Sequence, residues 1–231
     1  SRAEHSDLMV LLVRTTAREE VSKSTDGMSV LLVDMKASIG KGLTIKPIRT
    51  MINHATTELF FDDLEVPAEN LIGEEGKGFR YIIDGMNAER ILIASECIGD
   101  GRFFIDRASA YAKEREVFGR RIGENQAIQF PIARAYVNVT AAAEMVAKAA
   151  ALFEAGKPCG TEANMAKLLA SEASWFAADM CIQTHGGFGF AEEFDIERKF
   201  RETRLYQVAP ISTNLILSHV ATHVLDLPKS F

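Results

Sequence analysis

Apolar and polar positions change their period once along this chain. In the first part, apolar residues gather in short runs at residues 8–13, 28–34, 43–49 and 57–64, rich in Val, Ile, Leu and Phe. Turn signals such as Thr25-Asp26-Gly27 and Gly40-Lys41-Gly42 separate them. Short runs bounded in this way predict antiparallel strands. After Val66-Pro67 and the glycine-bearing stretch 73–78 the period becomes helical. Phe79, Ile82, Ile83, Met86, Arg90, Ile93 and Cys97 recur at three and four residues, one face of a long helix reaching Tyr111.

A second helix is expected from Asn125 to Phe153, bent near its start by Pro131, which removes a backbone donor. Gly156 and Pro158 stop it, and Thr161 is the expected N-cap of a third helix reaching Thr184. Residues 191–205 read as a short charged helix. Ser212 or Thr213 would cap a last one ending before Pro228. In the third helix, Met165, Leu168, Leu169, Trp175, Phe176, Met180 and Ile182 nearly encircle the axis, which predicts burial in a core or in a contact between subunits. The fold class is therefore α+β and mostly α, with a β part over residues 1–75 and a helical bundle over residues 76–231. Four strands make a thin sheet, and the chain starts at Ser1, without Met, inside what already reads as sheet, so further strands are expected outside it.

Composition narrows the functional classes. At 231 residues the chain can bury a core of one large or two modest domains. A net charge of −6, with no basic stripe carrying interleaved aromatics, argues against nucleic acid. No signal peptide is visible, the apolar run 8–13 is too short to span a bilayer, and the alanine-rich stretch 141–152 is broken by Glu144 and Lys148. Cys97, Cys159 and Cys181 are an odd set without metal spacing and read as reduced thiols.

Three segments carry candidate chemistry: Gln183-Thr184-His185-Gly186-Gly187-Phe188-Gly189-Phe190, the arginine-bearing Tyr111-Ala112-Lys113-Glu114-Arg115-Glu116-Val117-Phe118-Gly119, and the turn Val208-Ala209-Pro210-Ile211-Ser212-Thr213-Asn214. Paired glycines let backbone approach a bulky ligand, and a nearby arginine supplies the charge that a diphosphate needs. Taken alone, Gly186-Gly187 is also what a plain turn between helices looks like, and His185 reads as a packing residue.

In order along the chain, these segments resemble the acyl-CoA dehydrogenase family of flavoproteins. Thr57-Thr-Glu-Leu-Phe-Phe-Asp-Asp-Leu-Glu-Val-Pro67, the 73–79 stretch, Glu89-Arg90, Asn125-Gln126-Ala127 and Phe200-Arg-Glu-Thr-Arg-Leu-Tyr-Gln207 complete the likeness. The resemblance implies that the chain enters partway through the family's middle β-barrel domain and continues into an up-and-down, four-helix-type bundle. It implies FAD as cofactor, an acyl-CoA substrate oxidised to trans-2-enoyl-CoA, a homotetramer or homodimer, and an electron-transfer flavoprotein as acceptor. It places the protein in the bacterial cytoplasm, with the mitochondrial matrix as the alternative.

Site residues follow by position. Ser1 stands near a strand end that touches the flavin ring in relatives. Arg115, Phe118 and Gln126 would contact the FAD adenosine diphosphate. Gln183, Gly186 and Gly187 would cradle the diphosphate of a neighbouring subunit's FAD, and Ser212, Thr213 and Asn214 occupy a flavin-contacting turn. Val117 and Ile211 depart from the family's usual Thr and Gly.

Pro210 stands where straight-chain members carry their catalytic Glu, and proline takes no proton. The isovaleryl-CoA and long-chain branches instead carry the base on the first long helix, as a Glu followed by Arg, which Asn87-Ala88-Glu89-Arg90 matches. Glu89 is therefore the expected catalytic base, with Arg90 and Asn87 beside the substrate's CoA portion. Its place between Met86 and Ile93 predicts a buried carboxylate with a raised pKa. Glu96 and Asp100 are expected at the surface or in helix packing. An oxidase on the same fold, another flavoenzyme, or a non-catalytic helical scaffold are the competing readings.

Overall fold

A computed structural model describes residues 2–52 and 55–229. The chain separates into two compact units, Ser1–Met86 and Asn87–Phe231.

Among its described residues the first unit has five strands and a single-turn α-helix, Met35–Ser38. Strand β1 (Leu8–Arg14) pairs antiparallel with β2 (Met28–Asp34), and β2 pairs with the two-residue β5 (Leu71–Ile72). Helix α1 (Met35–Ser38) follows β2 directly, its N-terminus capped by Asp34, which accepts from the Ala37 N–H at 3.0 Å. Strands β3 (Leu43–Ile48) and β4 (Thr56–Phe61) form a separate antiparallel ladder. The four expected strands are present. The fourth ends before its expected limit because Asp63 turns the chain at φ 48°, a left-handed conformation that no strand continues. Among the described residues the strands form open sheets, not a closed barrel.

Helix α2 (Gly78–Glu114) starts in the first unit and supplies the second with a buried stripe, Ile91, Ala94, Cys97, Ile98, Phe104, Ile105 and Ala108. Helix α3 (Gln126–Glu154) runs through Pro131, and Asn125 holds its N-cap position. Helix α4 (Gly160–His185) begins at Cys159, so Thr161 lies inside the helix and is not its cap. Between α2 and α3, β6 (Glu116–Val117) and β7 (Arg120–Arg121) form a hairpin. The expected charged helix is shorter than its charge pattern. Glu192–Phe194 is a 3-10 turn, Asp195 turns at φ 61°, and α5 (Ile196–Arg204) begins after it. Ser212 caps α6 (Thr213–His223), its side chain accepting from the Leu215 N–H.

The core of the second unit is built from small residues. Helix α4 buries Ala163, Ala166, Ala170, Ser171, Ala173, Ser174, Ala177 and Ala178, whereas Leu169 and Phe176 stay 41% and 38% exposed. Of the large apolar side chains expected in a core or in a contact between subunits, Met180 is in the core, while Leu169 and Phe176 lie outside it. Small residues bring helix axes close, and dense contact between backbones replaces side-chain bulk. The same holds between α2 and α3, where a Cβ on Gly101 would stand 2.6 Å from Val139 Cγ2.

A polar seam crosses this core. Asp100, 4% exposed, accepts from Thr203 Oγ1 at 2.7 Å and pairs with Lys199 Nζ at 2.7 Å. Tyr206 donates to Glu96 at 2.5 Å, and Gln207 Nε2 donates to the Ser171 carbonyl at 3.1 Å. Lys167, fully buried on α4, donates to the Ile211 carbonyl at 2.7 Å. The seam ties residues 199–211 onto α2 and α4. Burial pushes the Asp100 carboxyl up, with Lys199 and Thr203 pulling the other way, while Lys199 is itself held up by Asp100 against burial. The two directions disagree on which charge the pair favours. The carboxylate is the more deeply buried partner, so it carries the larger desolvation cost.

Candidate functional site

Two local structures meet in one cleft of the second unit. The first is the end of α4. Gly186 caps it at φ 58°, ψ −132°, a backbone region open only to glycine, and its N–H closes on the Gln183 and Ile182 carbonyls. The second is the end of α2, where Arg115 donates its N–H to the Tyr111 carbonyl and the chain enters the β6–β7 hairpin. Tyr111, Arg115, Val117, Ile122, residues 183–187 and Phe188 enclose a cleft of about 460 Å³.

Inside it, His185 stacks on Tyr111 with ring centroids 4.1 Å apart. His185 is 5% exposed, and its Nδ1–H donates to the Cys181 carbonyl at 2.8 Å. Burial pushes its pKa down, opposed by that hydrogen bond, so a neutral packing histidine stands here, as its sequence context suggests. The Arg115 guanidinium lies 5.7 Å from the centre of the Phe188 ring and is exposed. An arginine held over an aromatic face keeps its donors free for an anion.

Gly187 has a different status from Gly186. Its φ is not positive, and a Cβ built on it would meet nothing within 4 Å. Neither backbone conformation nor packing within the chain calls for glycine at this position. The space that a Cβ would take is open, in a cleft that Arg115 also lines. That combination fits a diphosphate, which needs close backbone approach and positive charge.

Phe118 is equally unexplained by its own chain. Phe118 and Gly119 form the two-residue loop of the hairpin with φ 53° and 74°. Such loops favour Asn-Gly, because a bulky residue pays strain at positive φ. The Phe118 ring is fully exposed. A large apolar ring held in solvent on a tight turn is placed to meet a ligand or another protein surface.

The structure brings together Arg115, Gln183, Gly186 and Gly187. Phe118 and Gln126 lie at the hairpin tip and at the start of α3, outside the cleft lining. Ser212, Thr213 and Asn214 lie at the start of α6, also outside it, and the Ser212 hydroxyl is engaged as a helix cap. Ser1 lies outside the described residues. Tyr111 and Phe188 line the cleft as members of two segments singled out in the sequence, though neither is given a role there, and Ile122 lines it from outside both.

The expected burial of Glu89 needs a correction: its side chain is exposed in this chain. Asn87 and Arg90 are half-buried next to the buried Ile91, and Glu89 lies about 100° of helix rotation away from Arg90. Arg90 is the partly buried member. Its Nη1 donates to Asn87 Oδ1 at 2.9 Å, its Nε is buried without a partner among the described residues, and burial pushes its pKa down. Among the described residues no cluster suits a metal ion, and no helix is long and apolar enough to cross a membrane. The three cysteines are buried and unpaired, and burial pushes the Cys97 and Cys181 thiols up to about 12.

Comparison with known proteins agrees with the motifs. The acyl-CoA dehydrogenase, C-terminal domain family matches residues 76–225. Acyl-CoA dehydrogenase FadE12 of Mycobacterium tuberculosis is 38% identical over 176 residues, which are 75% of this chain and 45% of that protein. Subunit CarC of the caffeyl-CoA reductase-Etf complex of Acetobacterium woodii is 37% identical over 195 residues, 83% of this chain and 51% of the subunit. The crystal structure of an acyl-CoA dehydrogenase from Geobacillus kaustophilus superposes with a TM-score of 0.91 at 30% identity, covering 98% of this chain and 59% of its own. The chain spans about half the length of the curated relatives it matches.

Proposed function

Because this chain belongs to the acyl-CoA dehydrogenase family, one of FAD-dependent oxidoreductases, we propose that it forms the base-bearing and diphosphate-binding part of an enzyme that oxidises an acyl-CoA thioester to its trans-2-enoyl form. One observation carries the reading: the open space at Gly187 beside Arg115, which nothing in the chain itself requires. Arg115 and the turn at residues 183–187 hold the cofactor's diphosphate. Phe118 and Gln126 add contacts from the hairpin and the start of α3, and Thr213 and Asn214 add contacts at the start of α6. FAD, when bound, supplies the acceptor for the β-hydride.

Glu89 removes the α-proton. On this chain its carboxylate is exposed, and the thioester closing over it would exclude water from the site. Arg90, with a buried Nε left without a partner among the described residues, and Asn87, bound to it, take the CoA side of the substrate. Pro210, in the slot of the straight-chain base, holds no proton and leaves the role to Glu89.

The first unit belongs to a larger β-barrel domain in this reading. The exposed Phe118, Phe130, Tyr136, Leu169 and Phe176 support assembly with further copies as a homodimer or homotetramer. An electron-transfer flavoprotein is the proposed redox partner, and the bacterial cytoplasm the proposed location. The relative from a caffeyl-CoA reductase-Etf complex favours a second direction, reduction of an enoyl-CoA, which passes through the same groups in reverse.

The test is optical. Protein loaded with FAD should be yellow and should bleach anaerobically on addition of its acyl-CoA. Glu89→Gln should keep the colour and slow bleaching by about 10²–10⁴-fold, the range for loss of a general base. Full-rate bleaching in that variant would remove Glu89 from the mechanism. Protein that takes up no flavin would favour the scaffold reading, and hydrogen peroxide formed with acyl-CoA in air would favour an oxidase.

A further inference from the structure

Lys167 is a costly side chain to bury in the second unit, and stability does not explain it. It is fully buried on the α4 face that carries Ala163, Ala166, Ala170 and Ser171. Its ammonium has three donors, and its acceptor is one backbone carbonyl, that of Ile211, at 2.7 Å. Among the described residues it forms no ion pair, and burial pushes its pKa down to about 8. An apolar side chain of similar length would fill the same space at lower cost, since a buried charge without a carboxylate is rarely repaid.

The benefit lies in what the carbonyl belongs to. Residues 208–212 connect the seam to α6. Pro210 has no N–H to give, and the Ile211 carbonyl is bound by Lys167 and not by backbone. One helical turn further along α4, the Ser171 carbonyl accepts from Gln207 at 3.1 Å. Lys167 and Ser171 are four residues apart, as are Gln207 and Ile211, so the two bonds pin the segment to one face of α4 at both ends. The peptide whose oxygen Lys167 holds also carries the Ser212 N–H, at the edge of the turn before α6. A hydrogen bond from an ammonium polarises that peptide and strengthens its N–H as a donor.

We propose that Lys167 is a positioning residue: through the Ile211 carbonyl, its buried ammonium fixes the turn at residues 210–212 and so sets where Thr213 and Asn214 stand toward the flavin. The part concerning flavin rests on the function proposed above; the anchoring of the turn does not.

The experiment compares wild type with Lys167→Met, which keeps side-chain length and drops the charge. Amide hydrogen exchange followed by mass spectrometry reads the turn without any cofactor. Exchange in residues 207–216 should quicken by about tenfold, the loss expected for one charge-assisted bond, with the rest of α4 unchanged and the melting temperature equal or higher. With FAD, the same variant should bind several-fold more weakly and show a shifted flavin absorption band.

Unchanged exchange in residues 207–216 would overturn the anchor. Faster exchange spread over all of α4 together with a lower melting temperature would make Lys167 merely structural, and so overturn the proposal. A loosened turn with unchanged flavin affinity and spectrum would overturn the positioning role. Should wild type take up no flavin, the proposed function fails by itself, the role toward flavin is overturned with it, and the exchange result still decides the anchor. Where Lys167→Met fails to fold, Lys167→Gln, which leaves a neutral polar group in the site, carries the same measurements.

Discussion

Two turns flank the business end of the second unit, and they are built on opposite principles. The turn after α4 is open. Its glycines leave room that the chain does not use, and the cation beside it is exposed. The turn before α6 is closed. A buried ammonium holds its carbonyl, Gln207 pins its approach, and Ser212 spends its hydroxyl on a helix cap. In the first, function shows as space kept free; in the second, it shows as a cost that packing alone would not select. A glycine with positive φ, such as Gly186, is accounted for by the backbone, whereas Gly187 is not, and only the second kind points to a ligand.

Each side of this contrast can be broken. The largest effect concerns the closed turn. Lys167 has a folded pKa of about 8, below its ordinary 10.5, so the unfolded chain binds more protons between these values and stability must rise with pH across that window. The rise is roughly 3 kcal/mol at most, one pKa unit being worth about 1.4 kcal/mol. Cys97 on α2 and Glu172 on α4 itself are the other groups acting on it, and the thiol stays protonated throughout the window. Denaturant melts at pH 7.5 and 10 should show the rise in wild type relative to Lys167→Met; parallel curves would mean that the ammonium is not desolvated.

Arg115→Ala tests the open turn. The loss of one charged contact to a diphosphate should weaken FAD by about 2 kcal/mol, some thirtyfold, with stability unchanged because the side chain is exposed. Equal flavin affinity, measured by fluorescence quenching, would detach the cleft from the cofactor. Gly186→Ala comes next, lowering stability by about 1–2 kcal/mol through strain at φ 58°, as thermal melts would show. Ser212→Ala should cost about 1 kcal/mol, the usual worth of an N-cap, seen as fraying of α6 by hydrogen exchange.

What the sequence made legible follows the same division. Helix spans, the four longer strands and the Gly186-Gly187 turn are local patterns, and they stand close to where the periodicity puts them. The pattern on α4 marks Leu169 and Phe176 as apolar without telling core from surface, whereas the close helix contact inside the chain is made by alanine and serine, which hydrophobic patterning weights lightly. Glu89 and Arg90 both fall in the gap between Met86 and Ile93, where the pattern does not say which of the two packs; the structure leaves Glu89 exposed and Arg90 half-buried. The seam was illegible for another reason. Thr203 and Asp100 are 103 residues apart, and Tyr206 and Glu96 are 110 apart, so no window along the chain contains both partners. Lys167 alone left a local trace, a cation between Ala166 and Leu168 on a helix otherwise poor in charge on that face.

The most direct test of the central claim is a flavin titration of wild type beside Gly187→Val, with a thermal melt of each. A Cβ at this position meets nothing within 4 Å among the described residues, so the melting temperatures should agree within a degree or two, while the added side chain takes up space assigned to the diphosphate and FAD affinity should fall by tenfold or more. Equal flavin affinity in the two proteins would contradict the account.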